Sequence, residues 1–81
     1  MIGQEQYRRI VSAIEHTLEQ MREGPKSRGD KERTDAYERR VESWYATKHT
    51  FVLFAVKCIR EVDELKAKDY LDRLRRIGKE I

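Results

Sequence analysis

From Tyr37 to Leu65 the side chains at Tyr37, Val41, Trp44, Lys48, Phe51, Ala55, Cys58, Val62 and Leu65 recur in an unbroken four-three alternation, and only Lys48 among them is charged. Such spacing lays one side of a helix along a continuous seam, as in a coiled coil. Within it the run Phe51-Val52-Leu53-Phe54-Ala55-Val56 is apolar on every side of the helix for nearly two turns. A chain of 81 residues buries only a thin core. It cannot cover such a ring with its own elements, so the pattern predicts a helical protein that associates with itself or with a partner.

The flanking segments supply the helices that cover the other sides. Tyr7, Ile10, Val11, Ile14, Leu18 and Met21 fall at helical spacing and predict a first helix over about 4–23. Gly24-Pro25 ends it, because glycine closes a helix readily and proline cannot continue one. A loop over 24–30 follows, with Ser27 or Asp30 available as the next cap. The second helix is predicted over about 31–68, roughly 55 Å if continuous. Continuing its seam past Leu65 would place Asp69 and Asp72 inward, so the phase changes there. Tyr70, Leu71, Leu74, Ile77 and Ile81 define a third helix over about 70–80, capped by Asp69.

The expected fold is therefore all-α. It is a single domain in which a long central helix is packed by an antiparallel first helix along its amino-terminal half and by a short third helix near its other end. A break at Thr47-Lys48-His49-Thr50 is the alternative, since three of these residues are weak helix formers. The apolar flank left over, Tyr45, Phe51, Val52, Phe54 and Ile59, is the expected oligomer interface.

Charge and cysteine content narrow the function classes. The 18 basic and 15 acidic residues leave a net charge of +3, and Arg8-Arg9, Arg39-Arg40 and Arg75-Arg76 are dispersed and interleaved with acids. A dedicated nucleic-acid binder concentrates its cations on one face. The single cysteine, Cys58, excludes an internal disulfide and suits a reducing compartment. The longest apolar run is six residues, against about 20 needed to cross a bilayer. A signal-peptide pattern is missing from Met1-Ile2-Gly3-Gln4-Glu5, so the expected location is cytoplasmic, the host cytoplasm if the source is viral.

Catalytic chemistry finds no footing. His16 and His49 lie off the apolar stripes with no Cys or carboxylate cluster at zinc-binding spacing, so no metal and no cofactor are expected. Carboxylate pairs such as Asp63-Glu64 stand beside Lys or Arg and read as surface ion pairs. Two groups of residues could hold an anion. Lys26 and Arg28 lie just before a helix, whose free N–H groups and dipole favour negative charge. Trp44 and Lys48 place an aromatic ring beside a lysine on the seam, an arrangement that can stack a base or hold a phosphate. Lys48 alone could equally fix register and oligomeric state.

Ala46-Thr47-Lys48 followed by Leu53-Phe54-Ala55-Val56-Lys57-Cys58-Ile59 resembles the second helix of phage helical-hairpin proteins that act as anti-CBASS and anti-Thoeris nucleotide sponges. The resemblance implies an oligomer that sequesters cyclic nucleotides between subunits without catalysis. Tyr7 corresponds to an aromatic residue near the start of that family's first helix, and Thr47-Lys48 to its threonine-lysine pair. The chain departs from the family at Leu53-Phe54, where the family carries Met-Trp, and in having a third helix.

The reading that best accommodates all of this is a non-catalytic helical inhibitor or adaptor. It would bind a larger protein or nucleoprotein partner, as phage and mobile-element anti-defence proteins do. A sponge for a nucleotide-like anion, using Tyr7, Lys26, Arg28, Trp44, Thr47 and Lys48, is the first alternative. A DNA- or RNA-binding accessory protein is the second.

Overall fold

A computed structural model describes residues 2–80, with side chains described as far as Gly78. Three helices follow one another: α1 over Gln4–Glu23, α2 over Thr34–Arg60 and α3 over Glu64–Glu80. They form an elongated bundle of 47 × 23 × 16 Å. The fold is all-α with α2 central, packed by both other helices. The expected Ile81 position lies outside the described residues.

α1 starts where the Gly3 carbonyl accepts from Tyr7 N–H at 2.9 Å, while the Gln6 side chain accepts from Gly3 N–H at 3.3 Å. It ends at Gly24, whose φ of 89° and ψ of 170° suit glycine alone. There the Gly24 N–H donates to the Gln20 carbonyl at 2.9 Å. A Cβ on Gly24 would lie 3.4 Å from the Tyr45 hydroxyl, so the turn also sits close against α2.

The loop is longer than expected and α2 begins at Thr34 instead of residue 31. The reason is Arg40. Its guanidinium donates twice to Glu32, at 2.9 and 3.0 Å, and to the carbonyls of Lys26 and Ser27 at 3.1 and 3.3 Å. Glu32 in turn accepts from Gly29 N–H at 3.2 Å, and its own N–H donates to the Gly29 carbonyl at 3.0 Å. Asp30 and Lys31 are thereby spent in a turn. Neither Ser27 nor Asp30 caps α2, whose N-cap position, Arg33, has no side-chain cap bond.

α2 runs without a break through Thr47–Thr50, which removes the four-helix alternative. It stops at Arg60, well short of the predicted residue 68. The Ile59 carbonyl accepts from the N–H groups of both Val62 (3.1 Å) and Asp63 (2.9 Å), closing a tight turn. Asp63, rather than Asp69, caps α3: its Oδ1 accepts from Lys66 N–H at 3.1 Å and its carbonyl from Ala67 N–H at 3.1 Å. Asp69 instead lies inside α3 and pairs with Arg73 at 3.2 Å.

The packing of α1 corrects a further expectation. Gly24 meets Tyr45, Gln20 meets Lys48 at 3.0 Å, and Tyr7 meets Asp63 at 2.6 Å. α1 is thus antiparallel to the carboxy-terminal two-thirds of α2, and the first turns of α2 project past it, held by the loop. The extended loop is what lets α1 sit this far along. The core comprises Ile14, Leu18 and Met21 of α1, Val52, Ala55, Val56 and Ile59 of α2, and Ala67, Tyr70 and Leu74 of α3. The inward stripe of α2 is therefore rotated by about one residue from the predicted seam. Phe51, Val62 and Leu65, all assigned to that seam, are 42, 51 and 81% exposed.

Candidate interaction surface

Tyr7, Asp63, Glu32 and Arg40, whose acid–base behaviour is displaced, serve as structural ties. The Tyr7 hydroxyl donates to Asp63 Oδ2, which raises the phenol's pKa and lowers that of the carboxyl; the Lys66 N–H on Oδ1 lowers the latter further. Asp63, expected to form a surface ion pair, thus joins the start of α1 to the cap of α3. Glu32 is held low by Arg40 first and by the Gly29 N–H second. Among the described residues no group of His, Cys, Asp or Glu is arranged to hold a metal ion. Among those residues no helix is long and apolar enough to cross a membrane.

The residues expected to bind an anion do not converge. Tyr7 sits at one end of α1 and the loop bearing Lys26 and Arg28 at the other, about 30 Å apart along a helix of 20 residues. Arg28 donates to the Thr34 hydroxyl at 3.1 Å. Trp44, Thr47 and Lys48 do share one turn of α2. There the Lys48 ammonium lies 5.3 Å from the centre of the Trp44 ring and donates to Gln20 Oε1 at 3.0 Å. Trp44 also packs edge-on against Tyr45, with ring centres 4.9 Å apart. Lys48 is thus a half-buried polar link between α1 and α2, and its seam position is explained by that bond.

The expected oligomer interface divides in two. Val52 and Ile59 are fully buried inside the chain, and Tyr45 is half-buried against its core. They belong to the bundle, because the apolar run offers several possible inward directions and α1 and α3 settle on the side that carries them. Phe51 and Phe54 remain outside, 42 and 69% exposed, and Leu53 joins them at 38%.

Phe54 belongs to a longer surface that sequence reasoning missed. At 100° per residue, Ser43, Ala46, Thr47, Thr50, Phe54 and Lys57 line the side of α2 opposite Val52, Ala55, Val56 and Ile59, and every one of them is exposed. From Ser43 to Arg60 α2 contains no acidic residue, although the chain carries 15. That gap was the available signal. Elsewhere some basic residues are offset on their own helices, Arg9 by Glu5 at 2.9 Å, Arg39 by Asp35 at 3.3 Å and Lys68 by Glu64 at 3.8 Å. The outer side of α2 is by contrast a strip with no acid and few charges. No protein-family model matches the chain, and neither a curated protein nor a solved structure shows significant similarity to it.

Proposed function

We propose that this chain is a non-catalytic helical binding protein, an adaptor or inhibitor that acts by laying the outer face of α2 on another macromolecule. The observation that carries this reading is the exposure of Phe54 on the outer side of α2, with Phe51 and Leu53 partly exposed on its two flanks, in a stretch without acidic residues. Large apolar side chains grouped in water are costly to solubility, and their usual role is association. Aromatic anchors of this kind dominate the energetics of protein interfaces. The sponge reading draws support from Lys48 and Trp44 alone, and Lys48 already spends a donor on Gln20. The nucleic-acid reading draws little, since several basic residues are matched by acids one turn away.

The test compares the full chain with its Phe54→Glu variant. Phe54 is outside the core, so the variant should keep its helical content and its thermal midpoint to within a few degrees. Affinity purification from the native host should recover a stoichiometric protein partner, or the chain itself, with the wild type and not with the variant. Equal recovery by both would refute the reading. Calorimetry with cyclic nucleotides run on the wild type and on Lys48→Met should give no isotherm; a saturable one that Lys48→Met abolishes would establish the sponge instead.

A further inference from the structure

The outer face of α2 is uneven along its length. Its amino-terminal half presents Ser43, Ala46, Thr47 and Thr50, all small and exposed, and its carboxy-terminal half presents Phe54, flanked on either side by the partly covered Phe51 and Leu53. We propose that a second copy of this chain covers this face, α2 against α2 and antiparallel, about a two-fold axis passing at Thr50. The inference rests on the reading of this face as the working surface and names its occupant.

Shape favours that arrangement. In an antiparallel pair centred on Thr50, residues equally far on either side of it meet. Phe54 then lies across from the partner's Ala46, and Lys57 beside the partner's Ser43. The most exposed large side chain of the face thus meets a small one, and the two-fold axis repeats the contact. A parallel pair would stack Phe54 on its own copy and leave Ala46 facing Ala46 across a gap.

Charge selects the same register independently. Arg39 and Glu61, both exposed, stand equally far from Thr50 at the two ends of the face, so each meets the other's counterpart in the antiparallel pair. Lys57 comes within one residue of the partner's Glu42. A parallel pair would set Glu61 against Glu61, Arg39 against Arg39 and Lys57 against Lys57. Arg39 bonds to Asp35 on its own helix, but that pair is solvent-exposed and leaves guanidinium donors free. Opposite charges flanking an apolar strip are the usual device by which paired helices choose partner and direction.

Area sets the strength. A stable interface of standard size takes about 800 Å² from each partner, roughly one-eighth of the 6564 Å² surface of this chain. One pair of helix faces about 33 Å long falls below that, so the dimer should be weak and reversible.

Sedimentation equilibrium of the full chain should show a monomer–dimer equilibrium between about 10 and 500 μM, the regime expected of a small interface. Arg39→Glu and Glu61→Arg should each weaken it about tenfold, since each turns two attractive pairs into repulsive ones. The double variant should restore wild-type association, which a merely unfolded variant could not do. In a Cys58→Ser background, oxidation of a mixture of Ser43→Cys and Lys57→Cys chains should yield the mixed disulfide dimer, with little self-linking of either alone. Self-linked dimers as the main product would establish a parallel pair and overturn the proposal, as would failure of the double charge variant to recover. A strict monomer at 500 μM would overturn it too. If that monomer still loses a heterologous partner on Phe54→Glu, the face keeps its role with another occupant; if nothing is lost, both readings fall together.

Discussion

Tyr70 is the most informative place to perturb the fold. Its side chain is fully buried with Ile14, Val52 and Ile59, and its hydroxyl is the one buried side-chain polar atom without a hydrogen-bond partner among the described residues. Burial pushes the phenol up to about 12, the Glu15 carboxylate adds to this, and the Arg73 guanidinium, 5.6 Å from the ring centre, opposes it. Leaving such a group unpaired costs about 1–3 kcal/mol. Tyr70→Phe removes that cost and keeps the ring. The space of one oxygen atom, roughly 12 Å³, returns only about 0.3 kcal/mol of penalty. The variant should therefore be more stable by about 1–2 kcal/mol, raising the thermal midpoint by roughly 5–15 °C in a domain of this size. Calorimetry and guanidinium melts at neutral pH measure both, with an unchanged denaturant slope. A lower midpoint in Tyr70→Phe would refute the reasoning, because it would mean that the hydroxyl is paired. Alkaline titration gives a second reading of the same atom. The unfolded phenol ionises near 10 and the folded one near 12. The stability linked to Tyr70 is thus fully present below about pH 10 and is lost as pH rises towards 12. Tyr70→Phe should lack that decline.

Three further outcomes follow from particular contacts. Asp63 is held below its ordinary value by Tyr7 and the Lys66 N–H, so its contribution is present above its unfolded pKa of about 3.9 and is lost as pH falls through the depressed folded value; urea melts should show Tyr7→Phe narrowing that acid-side loss. Arg40→Lys keeps the charge but loses the fork that binds Glu32 and two carbonyls, so trypsin should cut after Lys26, Arg28 and Lys31 faster than in the wild type while the thermal midpoint stays close. Ile59→Ala should cost about 2–5 kcal/mol and Ile59→Val about 0.5–1.5 by urea denaturation, against a total of roughly 4–12 for a chain of this length; equal effects of the two would show that the site is not packed.

How far the sequence disclosed the fold depended on whether a residue had one plausible neighbour or several. α1 was legible almost to the residue, because a clean stripe ending at Gly24-Pro25 admits a single reading. The end of α2 was not. Val62 and Leu65 continue the apolar spacing, yet the chain turns between Arg60 and Glu64 because Asp63 satisfies the first N–H groups of α3 and the Tyr7 hydroxyl at once. That second bond joins residues 56 apart, and no local pattern announces it. Arg40 and Glu32 are likewise eight residues apart with a turn between them, outside the range of helical pairing rules. Within Phe51–Val56 the sequence said that something apolar would remain outside. It could not say which residues, since α1 and α3 choose the inward direction.

The choice they make leaves the outer side of α2 with no task in the fold. Val52, Ala55, Val56 and Ile59 already fill the space between the three helices, and Phe54, 69% exposed, adds little to it. A lysine or glutamate at 54 would serve the bundle equally well and keep it more soluble. Ser43, a weaker helix former, is equally unneeded at an exposed position of the helix, while Ala46 and Thr50 border a groove with Met21, Leu74 and Ile77. Both departures fall on the same strip, one at each end, and the acid-free stretch of α2 runs beneath both. Features that the fold does not require, placed on one side of one helix and complementary when that helix is reversed, are what the proposed antiparallel pairing accounts for.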